Sequence, residues 1–505
     1  MKVVFVHLGR ESLGIEYLSA VLKRAGHDTR LVMDPGLFGE NDNVFYIPRL
    51  ERFFDQRARV VNDAVALQPD IVAFSVYTNT FQWCLEVARA IRSRCNAKTI
   101  FGGIHCTLVP DVVIRNDAVD YVVVGEGEEA MVDLADALAQ GGPTGNIANV
   151  WTKRGGEIIQ NAPRAPIADL NALPLPDKAL FENDVNFIDD YLVLTSRGCV
   201  FNCTYCCESF INQLYHYHYF RRRSVDSVMD ELRVMKKRYR FRAVMFNDAI
   251  FFTDKKWLRE LLAKFKEEIH APFRCFGEVQ FLDEEVAELL KRAGCYCIEF
   301  GVQSMNERVR RQVLNRRETN EQNARAFHIC DKYGLRYDID HMFGLPEESE
   351  ADHVVAARFY HGLRRMNRLK CHNLTCFPRT GIARIAQERG LLTEGDAQNM
   401  EEGRTGDFFH VDEIRDSEQR KIKAGFVVLY KVLPLISKRG LERALERKWY
   451  RWLGRIPSPL VVLSQILIAM RSGDYRFFLY LRYYALRIRR WFAARSRARS
   501  AQSGT

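Results

Sequence analysis

The stretch SRGCVFNCTYCCES, residues 196–209, places four cysteines within nine positions. Three of them, Cys199, Cys203 and Cys206, are spaced C-x3-C-x2-C, and Cys207 follows directly. The run before it, YLVLTS (191–196), is short and apolar in the manner of a buried strand, so the thiols sit where a strand gives way to a loop. A disulfide knot, a zinc site, an iron–sulfur site and coincidence are the four readings to separate. Thirteen cysteines without a secretory leader argue for reduced thiols rather than a disulfide scaffold. Zinc favours paired C-x2-C units with a second pair at a distance. That pair is missing: Cys295 and Cys297 are one residue apart on a core-facing strand, and Cys371 and Cys376 are four apart. Three thiolates on one loop would instead leave one iron of a four-iron cluster open to a further ligand.

Downstream of the cysteines, short apolar runs alternate with helical patterns. AVMFND (243–248), FRCFGEV (273–279), CIEFGVQS (297–304), YDIDHMFGLP (337–346) and LTCFP (374–378) read as strands. With the strand at 191–196, this predicts six strand–helix units, too few for an eight-unit barrel and suited to an open, partial one. Upstream, VVFVHL (3–8), TRLVM (29–33), IVAFSVY (71–77), KTIFGG (98–103) and DYVVVGEG (120–127) alternate with helices in the same way. That pattern predicts a Rossmann-like open parallel sheet whose ligand sits outside the strands' carboxyl ends. The fold class is therefore α/β. Residues 1–145 form the first domain, 146–185 a linker with one hairpin turning at Gly155-Gly156, 186–385 the partial barrel, and 386–505 a helical, basic C-terminal region.

Bulk properties agree with an ordinary folded chain: 505 residues, 47% hydrophobic and 27% charged. The net charge of +10 is unevenly placed. Residues 431–505 hold 17 Lys/Arg against Glu442, Glu446 and Asp474, or +14, which leaves −4 for the rest. The isoelectric point is thus a property of the tail and gives no reason to expect nucleic-acid binding. No run approaches the roughly 18–20 apolar residues of a membrane span. The expectation is a cytoplasmic protein, with the basic, aromatic tail either capping the barrel or lying on an anionic inner-membrane surface.

CVFNCTYC resembles the signature of the radical S-adenosylmethionine (radical SAM) superfamily. The resemblance implies a 4Fe-4S cluster on Cys199, Cys203 and Cys206, with S-adenosyl-L-methionine on the open iron and a 5′-deoxyadenosyl radical formed by its reductive cleavage. An external electron donor of the flavodoxin or ferredoxin type is implied as well. Tyr205 is similar to the family's aromatic near the adenine. NDAIF resembles the D-D-x-F element, with Asn247 at the first Asp and Asp248 retained. Glu278, the GVQS residues Gln303 and Ser304, the GLPEES turn (344–349), and Arg316 or Arg317 resemble further contacts to the S-adenosylmethionine.

The first domain is similar to the cobalamin-binding domain of the cobalamin-dependent branch of that superfamily. GGIHCTLVPD (102–111), DYVVVGEGEEAM (120–131) and FSVYTNT (74–80) carry the likeness. It implies cobalamin contacts at Ser75, Tyr77, Thr78, Gly102, Gly103, His105, Gly125, Glu126 and Gly127. His7 stands at the cobalt-ligand position of the D-x-H-x-x-G motif, but Phe5 and Arg10 replace its Asp and Gly, so a hydrogen-bonded rim residue is the reading taken for it.

Three functions remain open at this point. One is methylation of an unactivated carbon of a small-molecule or lipid-like substrate. Another is radical ring formation, oxidation or rearrangement with the same cofactors. The third is a non-catalytic cobalamin sensor.

Overall fold

The computed structural model describes residues 1–39, 48–216, 219–404 and 417–502. Five parallel strands open the chain: β1 (Lys2–Leu8), β2 (Asp28–Asp34), β3 (Ile71–Ser75), β4 (Lys98–Gly102) and β5 (Tyr121–Val123). Val3 and Phe5 of β1 face helices Leu13–Arg24 and Glu128–Ala139, whereas Val4 and Val6 face helices Arg57–Ala66 and Phe81–Arg92. A sheet covered on both sides needs apolar residues at every position, which is why these strands read as continuous runs. The hairpin of β6 (Val150–Arg154) and β7 (Glu157–Gln160) turns at Gly155 and Gly156, both at positive φ, and pairs antiparallel to β5.

That pairing changes the expectation for residues 146–185. They are not a loose connection, because the hairpin completes the seven-stranded sheet in the order β2-β1-β3-β4-β5-β6-β7. Beyond it, Phe181 and Phe187 enter one continuous core that holds both Val3 and Phe5 of the sheet and Tyr191, Val193 and Phe246 of the barrel. The segment lacks a regular apolar period because it packs through isolated side chains, and periodicity is the signal a sequence offers.

The second sheet is all parallel and open, in the order β15-β14-β13-β12-β11-β8. Its strands are β8 (Tyr191–Val193), β11 (Val244–Phe246), β12 (Phe273–Gly277), β13 (Cys295–Gln303), β14 (Tyr337–Phe343) and β15 (Met366–Asn373). A short ribbon of β9 (Ser196–Arg197) and β10 (Arg221–Arg222) lies just ahead of the cysteines. The helices start at side-chain caps: Ser224, Asp254, Asp283 and Thr319 each accept a backbone amide of the first turn.

The last strand differs from the expectation. It is Met366–Asn373, MNRLKCHN, and not LTCFP (374–378), whose Leu374 and Cys376 enter a small separate core beneath helix Gly381–Glu388. This edge strand carries Arg368 and Lys370, which pair with Asp474 and Glu299, so its polarity hides it from a hydrophobic reading.

In the C-terminal region, helix Ser417–Val432 buries Phe426, Leu429 and Tyr430 against the barrel core. Helix Tyr475–Gln502 returns to the first domain, where Tyr484 packs on Phe38 and Phe54. Arg482 and Arg487 reach Asp189 and Asp184, each at 2.9 Å. No helix among the described residues is long and apolar enough to cross a membrane.

Candidate functional site

The cysteine loop is pinned at every flank. At its start, Asp248 Oδ1 accepts from the Thr195 amide (2.9 Å), the Thr195 hydroxyl (2.9 Å) and the Ser196 hydroxyl (2.6 Å). Asn212 donates to the carbonyls of Cys199 (3.0 Å) and Phe201 (3.3 Å) and to Asn202 Oδ1 (2.9 Å). The Thr204 hydroxyl donates to the Val313 carbonyl at 2.6 Å, and Asn315 donates to the Asn202 carbonyl at 2.8 Å. Cys199, Cys203 and Cys206 are half-buried free thiols on this preformed loop. Burial pushes the Cys199 thiol up to about 11 and raises Cys203 as well. Thiolates in that setting need a bound cation, which is what an iron cluster provides. Cys207 faces elsewhere, packing with Phe210 and Leu214 against the apolar layer of the first sheet.

Beside Cys203 lies a cavity of about 300 Å³ whose wall includes Glu278, Arg316, Arg317 and Glu318. Arg316 organises it. Its Nη2 donates to Glu278 Oε2 and to the Gly301 carbonyl, both at 2.7 Å, and its Nε donates to Glu318 Oε1 at 2.6 Å. Its Nη1 lies 3.9 Å from Cys203 Sγ and 3.4 Å from the Tyr205 hydroxyl. Of the two arginines the sequence offered, Arg316 is buried in the wall and Arg317 is exposed at the mouth. Burial alone would raise the Glu278 carboxyl, and despite Arg316 it stays above the ordinary range.

The other expected residues spread further. Gln303 ends β13 at a φ of 64°, and its buried Oε1 has no donor among the described residues. Ser304 is fully buried and donates to Glu348 of the GLPEES turn. Asp248 holds the loop, and its neighbours Asn247 and Ala249 line a cavity on the other side.

That second cavity, about 350 Å³, lies between the two sheets. Ser75, Gly102, Gly103, Gly125, Glu126 and Gly127 contribute from the carboxyl ends of β3, β4 and β5. Leu194, Ser196, Arg197 and Gly198 contribute from the approach to the cysteines. Tyr77, Thr78 and His105 stand outside this wall. The chain leaves β3 at Ser75, and Thr78 then bonds His105 Nδ1 at 3.2 Å beneath Phe81, while Tyr77 is half exposed. His7 is buried, its Nε2 bonded to the Arg10 carbonyl at 2.8 Å, and burial lowers its pKa to about 4.

The model of the B12 binding domain matches residues 6–135, and that of the radical SAM superfamily matches residues 193–360. The chain is a radical SAM enzyme with a B12-binding domain. An uncharacterised methyltransferase of Pyrococcus horikoshii is 28% identical over 353 residues, covering 69% of this chain and 72% of its own. The anaerobic magnesium-protoporphyrin IX monomethyl ester cyclase of Rubrivivax gelatinosus is 24% identical over 379 residues, covering 69% and 63%. Among solved structures, the cobalamin-dependent radical enzyme OxsB, with aqua-cobalamin and S-adenosylmethionine bound, superposes with a TM-score of 0.65 at 15% identity, covering 98% of this chain and 80% of that one. Cobalamin, S-adenosylmethionine and a 4Fe-4S cluster are accordingly its cofactors.

In this radical SAM enzyme the Gly-Glu-Gly-Glu segment joins the B12-binding domain to the cluster loop. Glu126 accepts from Arg197 Nη1 at 3.0 Å and from Arg221 Nη2 at 2.7 Å, and its second oxygen accepts the Ile167 amide at 2.8 Å. Glu128 takes the other end of Arg197. Burial alone would raise the Glu126 carboxyl, but the Arg221 and Arg197 guanidiniums outweigh it and hold the group below the usual carboxylate range. Gly125 makes the approach feasible: at φ 78°, a Cβ there would sit 2.1 Å from the Tyr215 hydroxyl, which accepts the Glu126 amide at 3.0 Å.

Sequence reasoning missed Arg197, Arg221, Tyr215, Asn212 and Thr204. Arg197 and Arg221 carried one usable signal, since each stands beside a Gly or a charge run flanking the cysteine motif. Asn212 acts through three short-range hydrogen bonds and Thr204 through one to a distant carbonyl, and these leave no trace in composition or spacing.

Proposed function

We propose that this enzyme methylates an unactivated carbon of a small-molecule substrate. The observation that carries the reading is the placement of the 350 Å³ cavity, walled on one side by the B12-binding strand ends and on the other by the residues leading into the cysteine loop. When bound, the cofactors supply a substrate-activating 5′-deoxyadenosyl radical from one side and a methyl group from the other. The chain's own residues do the rest. Arg316, Glu278 and Glu318 form a polar end beside Cys203 for the amino-acid part of S-adenosylmethionine. Phe5, Leu13, Leu18 and Met131 give the interdomain cavity an apolar floor that keeps water from a radical. The likeness to a methyltransferase supports methyl transfer, and the likeness to a cyclase keeps radical ring closure as the second reading.

Reconstituted enzyme given S-adenosylmethionine labelled at the methyl group, a low-potential flavodoxin or ferredoxin donor and a metabolite extract should transfer label to a carbon. S-adenosylhomocysteine and 5′-deoxyadenosine should appear in step. Steady 5′-deoxyadenosine with a modified product and no S-adenosylhomocysteine would move the assignment to the second reading.

We propose further that the C-terminal region contacts an anionic lipid surface. Leu460, Leu463, Leu467 and Met470 form one exposed stripe on helix Ser458–Ser472, while Ile468 and Ala469 face inward. Trp452, in the turn of helix before it, is 62% exposed, with the Arg455 guanidinium 4.2 Å from its ring centroid. Apolar side chains within a segment of charge +14 match a bilayer of phosphatidylglycerol type. The full chain should co-sediment with such vesicles and be released by high salt, and L463E/L467E should abolish binding. Equal sedimentation of that variant would overturn the contact.

A further inference from the structure

Strand β14 sends His341 out of the barrel, into the layer between the sheet and helices Glu350–His361 and Ser417–Val432. Its ring meets Tyr360 of the first helix at 5.6 Å and Tyr430 of the second at 5.0 Å between centroids. The GLPEES turn brings Glu348 to the same place, and the first turn of the helix adds His353. The His353 ring lies 5.8 Å from that of His341, and its Nε2 lies 3.8 Å from Glu348 Oε2. One donor atom from each of the three residues falls within a mutual distance of 4.8 Å.

The polar accounting of this layer does not close with protein atoms. His341 Nε2, His353 Nδ1 and Glu348 Oε2 are all buried with no hydrogen-bond partner among the described residues. Buried polar atoms without partners are costly, and three in one place call for a common explanation. A cation held between the three residues would give the buried lone pairs that face one another a shared partner.

The outer contacts suit such a cation. His341 is held through Nδ1 by the Tyr360 hydroxyl at 2.9 Å, the kind of oxygen partner that orients a metal-bound imidazole. Glu348 is held through Oε1 by the Ser304 hydroxyl, which leaves Oε2 for the metal. The His353 ring is clamped between Phe343 and Phe426, at 4.9 and 5.2 Å. We propose that His341, Glu348 and His353 bind a divalent transition-metal ion of the zinc class, separate from the thiolate cluster. Two imidazole nitrogens and one carboxylate oxygen are borderline ligands that hold zinc more tightly than iron(II) or manganese(II). The site has a positioning role: it ties the Gly-Leu-Pro turn, and Ser304 through Glu348, to the helices that close the barrel's outer side.

The test uses full-length enzyme with its iron cluster reconstituted, so that the cysteine loop is occupied. One equivalent of zinc sulfate is added, loosely held metal is removed by desalting over a chelating resin, and zinc is measured by mass spectrometry and X-ray absorption. About one zinc per chain, with nitrogen or oxygen neighbours at about 2.0–2.1 Å and no sulfur at about 2.3 Å, is the expected result. His353→Gln should lose at least tenfold in zinc retention with its iron content unchanged. Zinc absent after the resin, zinc with sulfur neighbours, or undiminished zinc in His353→Gln would each overturn the site. The wild-type spectrum decides the matter even where the variant does not fold.

Discussion

Arg316 Nη2 stands 2.7 Å from Glu278 Oε2 while Nη1 of the same guanidinium reaches toward Cys203 Sγ at 3.9 Å. One side chain thus spans the ligand cavity and the cluster loop. Arg316→Leu removes one partner of a buried pair and leaves Glu278 and Glu318 facing each other, a loss of about 3–5 kcal/mol. Arg316→Lys keeps a charge but not the fork. For it, the expected outcome is normal iron content with 5′-deoxyadenosine formation reduced at least tenfold, read by chromatography of quenched single-turnover reactions.

The cluster assignment separates neighbouring thiols. Cys203→Ala should lower bound iron well below about four per chain and abolish reductive cleavage of S-adenosylmethionine. Cys207→Ala should leave both intact and cost only the packing of one small side chain, because Cys207 lies in the apolar layer of the first sheet. Iron analysis with the ferrous–ferric absorption band distinguishes the two variants.

Glu126 makes part of the stability dependent on pH. Its carboxyl is held below its unfolded value, so its contribution is complete above the unfolded pKa of about 4.3 and is lost as pH falls through the lower folded value. Glu126→Gln should therefore unfold at lower temperature than the parent at pH 7, with the gap closing as the pH approaches 4 and below. Calorimetry across that range checks the sign.

Gly125 and Tyr215 should behave as a pair. Gly125→Ala places a Cβ into the Tyr215 hydroxyl on backbone at φ 78°, a change that costs on the order of 1–3 kcal/mol. Tyr215→Phe removes the obstructing oxygen, so the double variant should recover part of that loss, and denaturant midpoints of the four proteins in the cycle would measure it.

The strands of both sheets were legible because burial on two faces forces continuous apolar runs, as in VVFVHL and AVMFND. The cysteine loop was legible because metal ligation constrains spacing within a few residues. Legibility fell wherever function depends on residues distant in the chain. Glu126 read as a cofactor contact, yet its partners Arg197 and Arg221 lie 71 and 95 positions away. His105 read as a strand-end residue, but the turn after Ser75 places its bonding partner Thr78 outside the cavity wall. The edge strand Met366–Asn373 escaped because its charges are neutralised by Asp474 and Glu299, which only the folded chain brings near.

The continuous core through Phe181, Phe187 and Tyr191 limits how such an enzyme can be recombined. A cut after the fifth strand would strip the hairpin from one fragment and expose aromatic rings on the other. Grafting this cobalamin module onto another barrel would have to carry residues 146–190 with it, together with an arginine pair to receive Glu126. The folding unit here is the two sheets with the strap between them.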